Sequence, residues 1–203
     1  MTTGIVKKRI KITQFFGVIV LAYYLLGASF LSLKIPLLGE ALFFVGTIMV
    51  AIGVLGRAWC LSYIGGNKRN MVIQNGPYSL CRNPLYLFSF TGAIGIGLAT
   101  KTFTFPLVII MVFVIYYPLV IKKEEAELKL KFGTEFENYM QKTPTRIIPS
   151  FQGYAGLERT EINLRSFRKG IFELIYFIIP LGIFPIVETL HALGAMPFFY
   201  YIY

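Results

Sequence analysis

Apolar residues gather along this chain into long runs broken by short polar stretches, and the runs approach the roughly 20 helical residues that cross a hydrocarbon core. The pattern predicts five spans. The first covers Thr13 to Leu33 and is closed by Lys34 and Pro36; the second covers Leu37 to Arg57 and continues as an interfacial helix through Trp59 and Tyr63 to the Gly65-Gly66 break. The third, Leu85 to Thr100, is short and carries Gly92, Gly95 and Gly97, which permit close helix contact. The fourth runs from Phe103 to Ile121, with a kink expected at Pro118. The fifth, Ile171 to Leu193, contains Pro180 and Pro185 and is expected to bend or re-enter rather than cross cleanly. The fold class expected is therefore all-α, a polytopic transmembrane bundle forming one domain over residues 1–203.

Composition agrees with that class. Hydrophobic residues make up 56% of the 203, and charged residues only 15%, below the roughly 25% of a soluble domain. A net charge of +10 raises the question of nucleic acid, but the basic residues sit between apolar runs and form no repeated basic face. Anionic lipid headgroups are the expected partner instead. The first apolar run is too long for the core of a cleaved signal peptide. Cys60 and Cys81 are the two cysteines, read as ordinary apolar or interfacial residues rather than a pair.

Charge also predicts sidedness. Lys7, Lys8, Arg9 and Lys11 precede the first span, and Arg57, Lys68, Arg69 and Arg82 follow the second. Lys122, Lys123, Lys129, Lys131, Lys142, Arg146, Arg159, Arg165, Arg168 and Lys169 lie between the fourth and fifth, whereas the opposite loops carry only Lys34 and Lys101. By the positive-inside rule the amino terminus and both long loops are cytoplasmic.

Chemistry-bearing residues concentrate in those loops. Asn75-Gly76-Pro77-Tyr78 reads as a turn, and Asn83-Pro84 starts the third span, since proline suits a first helical turn. Glu124 and Glu125 follow an apolar span directly, a place where a carboxylate is costly unless it pairs with a cation or faces a wet cavity. Beyond them Leu128, Phe132, Phe136 and Tyr139 recur at helical spacing and form a packing stripe, interrupted at Gly133. His191 stands alone without a second His or Cys at ligand spacing, so no metal site is expected. Phosphate loops, dinucleotide fingerprints and nucleophile elbows are missing from the sequence.

Gly76-Pro77-Tyr78, Arg82-Asn83-Pro84-Leu85-Tyr86, the glycine-rich third span, Glu124-Glu125, Phe132 to Tyr139 and Thr145-Arg146-Ile147-Ile148-Pro149 resemble, in that order, the superfamily of isoprenylcysteine carboxyl methyltransferases and phospholipid methyltransferases. The resemblance covers residues 53–151 and leaves 171–193 as an additional hydrophobic segment. It implies an integral membrane methyltransferase that uses S-adenosylmethionine and modifies a lipid or lipidated acceptor in the bilayer. It assigns Tyr78, Arg82, Asn83, Pro84, Tyr86, Glu124 and Glu125 to cofactor binding, with a glutamate meeting the cofactor's ammonium. Arg146 and Glu125 become the catalytic pair, the first aiming an acceptor carboxylate, the second serving where an amine acceptor must lose a proton. The superfamily often has histidine where Asn83 stands, and its upstream histidine motif is matched only loosely by Asn70-Met71-Val72-Ile73. An amide can replace histidine as a hydrogen-bonding group but not as a base. The expected activity is most like carboxyl methylation of an isoprenylcysteine; phospholipid N-methylation, small-thiol methylation and a non-catalytic relative stand as alternatives.

Overall fold

A computed structural model describes residues 21–65, 71–159 and 162–203. Most of the predicted first span, and Asn70 of the loosely matched motif, lie outside the described residues. Residues 21–26 are helical and lead into β1 (Gly27–Ser29), α1 (Phe30–Lys34) and α2 (Pro36–Ile64). The short α3 (Pro77–Leu80) is followed by α4 (Pro84–Ala99), α5 (Thr104–Phe132), α6 (Thr134–Lys142), α7 (Leu164–Glu173), α8 (Ile175–Ala192) and β2 (Tyr200–Ile202). The molecule is an all-α membrane helical bundle.

Three stretches of 29 residues, Pro36–Ile64, Thr104–Phe132 and Leu164–Ala192, are long and apolar enough to cross a membrane. At most 22% of the most apolar 18-residue window of each is buried within the protein, so most of that surface faces outward, as lipid contact requires. Leu55, Val114, Ile115, Leu119 and Ile186 are among the exposed apolar side chains. α4 is shorter, and it is held at the centre by α2, α5 and α8.

Close approach explains why α4 is glycine-rich. A Cβ on Gly53 of α2 would stand 2.6 Å from the Cα of Gly92, and one on Gly46 would stand 2.6 Å from the carbonyl oxygen of Gly95. With hydrogens at these crossings the two backbones touch, which is how helices pack where lipid supplies no hydrophobic drive.

At one end of the bundle, Tyr24, Ala99, Phe105, Phe184, Val187 and Ile202 form the apolar core. A two-stranded parallel sheet lies here, with Gly27 opposite Tyr200 and Ser29 opposite Ile202. Lys101, in the turn between α4 and α5, pairs with Glu40 of α2 and Glu188 of α8, at 2.6 Å to each. That end is thereby tied together by side chains from α2, the α4–α5 turn and α8.

Two spans run on as continuous helices, and a third departs from the sequence expectation. The second span and its interfacial extension are one unbroken helix, because nothing in Leu37 to Ile64 breaks the backbone ladder. α5 likewise runs without interruption through Pro118 to Phe132. α8 runs through both Pro180 and Pro185, and the break falls instead at Leu174, between an amphipathic α7 and the apolar α8. Proline removes one backbone donor per site, and a lipid-surrounded helix tolerates that loss where surrounding groups compensate.

Helix lengths create a recess at the other end. A helix of 29 residues is about 43 Å long and one of 16 about 24 Å, against a hydrocarbon core of about 30 Å. Because α2, α4 and α5 share their closed end, α4 stops well short of its neighbours at the other. The loops before α4 and after α6 fill part of that hollow.

Candidate functional site

The residue that begins the hollow is Gly76, whose φ of 60° suits glycine. Its N–H donates to Ala155 O at 2.7 Å, and the turn then enters α3, presenting buried Tyr78. Tyr139 on α6 donates its hydroxyl to Tyr78 O at 2.7 Å, fixing the turn against the aromatic stripe. The backbone of Arg82 and Asn83 then pairs with Thr145 O and Arg146 O, each at 3.0 Å, so the loop after α6 runs alongside the loop before α4.

Arg82 is the hub. Its Nε donates to Glu125 Oε1 at 2.8 Å, and its Nη1 donates to Thr143 O at 2.8 Å and Pro144 O at 2.7 Å. Glu125 also accepts from Asn83 Nδ2 at 3.3 Å and faces Arg146 Nε at 3.3 Å. A carboxylate only 10% exposed is thus matched by two guanidinium groups and an amide, the condition under which a buried charge is tolerated. Glu124, next in the chain, accepts from Tyr86 Oη at 2.7 Å. The Tyr86 ring meets Tyr117 edge-on at 5.2 Å, and Tyr117 stacks on Phe113 at 4.3 Å.

These side chains enclose a cavity of about 370 Å³. Tyr78, Arg82, Asn83, Tyr86, Glu124 and Glu125 all line it, although the turn and the two glutamates are some forty residues apart. Pro84 and Arg146 are not in its wall. Pro84 is buried as the first residue of α4, and the Arg146 side chain is 61% exposed behind Glu125.

Other wall residues were not singled out from the sequence as site residues. Arg57 of α2 and Ser89 of α4 meet there, with the arginine Nη1 donating to the serine hydroxyl, and Tyr117 and Glu173 complete the same side. Arg57 carried a signal in the sequence, a charge at the end of an apolar run, but it was read only as a marker of sidedness. Ser89 and Tyr117 carried none, since nothing in sequence says that their helix faces converge. Leu128, Phe136 and Tyr139 of the predicted packing stripe also line the cavity, as do Met71, Val72 and Ile73.

Two polar atoms in the wall stand buried without hydrogen-bond partners among the described residues, Tyr78 Oη and Arg57 Nε. Burial holds the Tyr78 phenol well above its ordinary pKa, with Cys60 and Tyr139 as further contributors. Burial likewise pushes the Cys81 thiol up to about 11, against the opposing pull of the Asn83 backbone and Arg82. Both groups are neutral near pH 7. Both cysteines are free and buried.

The fold is a helical membrane bundle with an arginine- and carboxylate-lined cavity at one end of a recessed helix. Residues 33–135, just over half of the chain, match the model of the phospholipid methyltransferase family, and the protein belongs to that family. The matched segment contains the turn, Arg57, α4 and both glutamates and ends before Arg146. The chain is 32% identical over 145 residues to the cobalt-zinc-cadmium resistance protein CzcN of Cupriavidus metallidurans, covering 71% of this chain and 65% of that protein. It is 32% identical over 141 residues to the nickel-cobalt-cadmium resistance protein NccN of Alcaligenes xylosoxydans xylosoxydans, covering 70% and 65%. The alignments therefore span slightly under two thirds of either relative. No solved structure matches the chain.

Proposed function

We propose that this chain is an S-adenosylmethionine-dependent membrane methyltransferase acting on a lipid-embedded acceptor, most like the enzymes that methylate the carboxyl group of an isoprenylcysteine. The observation that carries this reading is the single cavity joining the 76–86 turn to Glu124 and Glu125 at the end of membrane-length helices. The residues present fit the cofactor. A cavity of about 370 Å³ falls within the roughly 300–1,000 Å³ of small-molecule sites. Carboxylates for an ammonium, Arg82 for a carboxylate and aromatic faces for a purine all line it, and Tyr78 Oη is an orphan donor and acceptor.

When bound, S-adenosylmethionine supplies an electrophilic methyl group on sulfur. The chain's own residues do the positioning, and orientation alone can be worth about 7–11 kcal/mol in well-aligned reactions. Glu124, oriented by Tyr86, would meet the ammonium. Glu125 would act mainly by holding Arg82, Asn83 and Arg146 in place, because both of its oxygens already face donors. A carboxylate acceptor needs no base, only a cation to aim it; an amine acceptor would need Glu124 or Glu125 to take a proton. The family's name favours the amine of a phospholipid as the second reading. Both relatives are named for metal resistance, which leaves the acceptor to be set by the cavity's own chemistry. The asymmetry of Lys and Arg in the loops supports a cytoplasmic cavity with anionic headgroups around it.

The test is methyl transfer from labelled S-adenosylmethionine onto a farnesylcysteine analogue and onto phosphatidylethanolamine in parallel. Label on the farnesylcysteine carboxyl group is expected. Label only on phosphatidylethanolamine selects the second reading, and label on neither removes the lipid-acceptor proposal.

A further inference from the structure

The Arg57 guanidinium lines the cavity, and three of its surroundings are already defined. Nη1 donates to Ser89 Oγ, and Ser89 in turn donates to Leu85 O at 2.6 Å, so the serine holds the guanidinium in one orientation. The Phe177 ring of α8 lies 5.4 Å from its central carbon. Nε is buried and has no partner among the described residues. An arginine within an apolar helix that keeps a buried, unpaired donor beside a cavity is costly as structure alone; the neighbouring Glu173 carboxylate offsets part of its charge, and the open Nε donor is where a further anion can add.

Directly along the bundle from this point lies a second cavity of about 440 Å³, lined by Ile96, Gly97, Phe105, Ile109, Tyr176, Pro180 and their neighbours and almost wholly apolar. On three helices its lining residues follow those of the first along the axis. On α4, Ser89 and Ile96 are seven residues apart, on one helix face and about 10 Å along the axis. On α5, Tyr117 lines the first cavity and Ile109 and Phe105 the second, with buried Phe113 stacked on Phe90 of α4 at 3.9 Å between the two. Where α7 passes into α8, Glu173 lines the first and Tyr176 the second.

We propose that Arg57 holds the anionic head of the lipid acceptor through its Nε side, with the acceptor's hydrocarbon chain lying along α4 in the apolar groove between α5 and α8. This rests on the methyltransferase reading above and assigns to Arg57 the acceptor-aiming role that the family resemblance implies for Arg146. Ser89 is a positioning residue that acts through Arg57. Glu173, in the same wall, disfavours free anions, so selection falls to a ligand that brings both a charge and a chain.

The test uses the purified full-length protein in detergent and four probes: S-adenosylmethionine, a farnesyl thioether ending in a carboxylate, its methyl ester, and inorganic phosphate. The wild type should bind the acid at least about tenfold more tightly than the ester and should bind phosphate negligibly. Arg57→Gln should erase the preference for the acid while leaving S-adenosylmethionine affinity within about twofold. Ser89→Ala should reduce the preference, and Ile96→Trp, which fills the groove, should weaken acid and ester alike; these two variants keep the claim testable should Arg57→Gln fold poorly. Equal binding of acid and ester by the wild type overturns the proposal. So does a variant series in which Arg57→Gln loses S-adenosylmethionine and keeps the acid preference, which would put Arg57 on the cofactor. Failure of the wild type to bind S-adenosylmethionine strikes the methyltransferase reading instead, and the acid-to-ester comparison is read separately from it.

Discussion

Arg82 Nε and Glu125 Oε1 lie 2.8 Å apart across 43 positions of sequence, with both side chains at or below 10% exposure. The same guanidinium reaches two carbonyls of the loop after α6, so one side chain ties together the start of α4, the polar end of α5 and the 143–149 segment. Removing one member of such a set leaves the others buried and unmatched. Arg82→Gln is expected to destabilise the protein by about 3 kcal/mol or more. Arg82→Lys should rescue little, because a single ammonium cannot make three contacts in different directions. Denaturation in detergent checks this; a loss below about 0.5 kcal/mol would place the pair among those that contribute nothing measurable.

Gly53→Leu tests the helix crossing that seats α4. The new side chain would begin 2.6 Å from the Gly92 backbone, so the helices must separate. Overpacking of this kind costs about 1–3 kcal/mol. Gly182→Ala, where an added Cβ meets nothing within 4 Å, should be neutral or slightly stabilising. Thermal melts of the two variants should diverge, and equal melting temperatures would contradict the close crossing.

Much of this arrangement was readable before any coordinates. α4 begins at Pro84 and ends at Ala99, one residue from the expected Leu85 to Thr100, because proline, run length and the loop polarity agree there. The paired glutamates and the 76–86 turn share a cavity because α4 and α5 form a hairpin, a topology that short connections between successive helices make expected. Pro180 and Pro185 misled, because proline's cost depends on what replaces the lost donor, and sequence does not show the neighbours. Arg57 and Ser89 were invisible as a pair, because a contact 32 positions apart depends on helix rotation, which hydropathy does not encode when a helix is apolar on nearly every side. The short parallel pair β1 and β2 was also beyond reach, since its two three-residue strands lie over 170 positions apart.

Cys81 predicts a pH effect. Its thiol is fully buried and held up to about 11, from an ordinary value of 9.0. A thiol whose folded pKa lies above its unfolded one keeps its full contribution below about pH 9. It then loses stability as pH rises toward 11, at about 1.4 kcal/mol per pH unit while only the unfolded chain releases the proton. Stability measured against pH should fall in that window, and Cys81→Ala should lessen the slope. An identical slope in the variant would assign the effect to other groups, with the buried Tyr78 and Tyr139 phenols next in line.

The two arginines near the cavity can be separated by conservative exchange. Arg146 is 61% exposed and sits 3.3 Å from Glu125, so its exchange for Lys should change stability by less than about 1 kcal/mol and preserve most turnover. Arg57→Lys should lose most turnover toward a carboxylate acceptor, since the planar fork is replaced by a mobile point charge. The opposite ranking of the two variants would return the acceptor-aiming role to Arg146.

The most direct test of the account is calorimetric titration of S-adenosylmethionine into the purified wild type and into Glu124→Gln and Tyr86→Phe. Saturable binding by the wild type is predicted, weakened at least about tenfold, or 1.4 kcal/mol, by Glu124→Gln and less by Tyr86→Phe. A wild-type protein that shows no saturable binding, or a Glu124→Gln variant that binds as tightly as the wild type, would contradict the claim that this cavity holds the methyl donor.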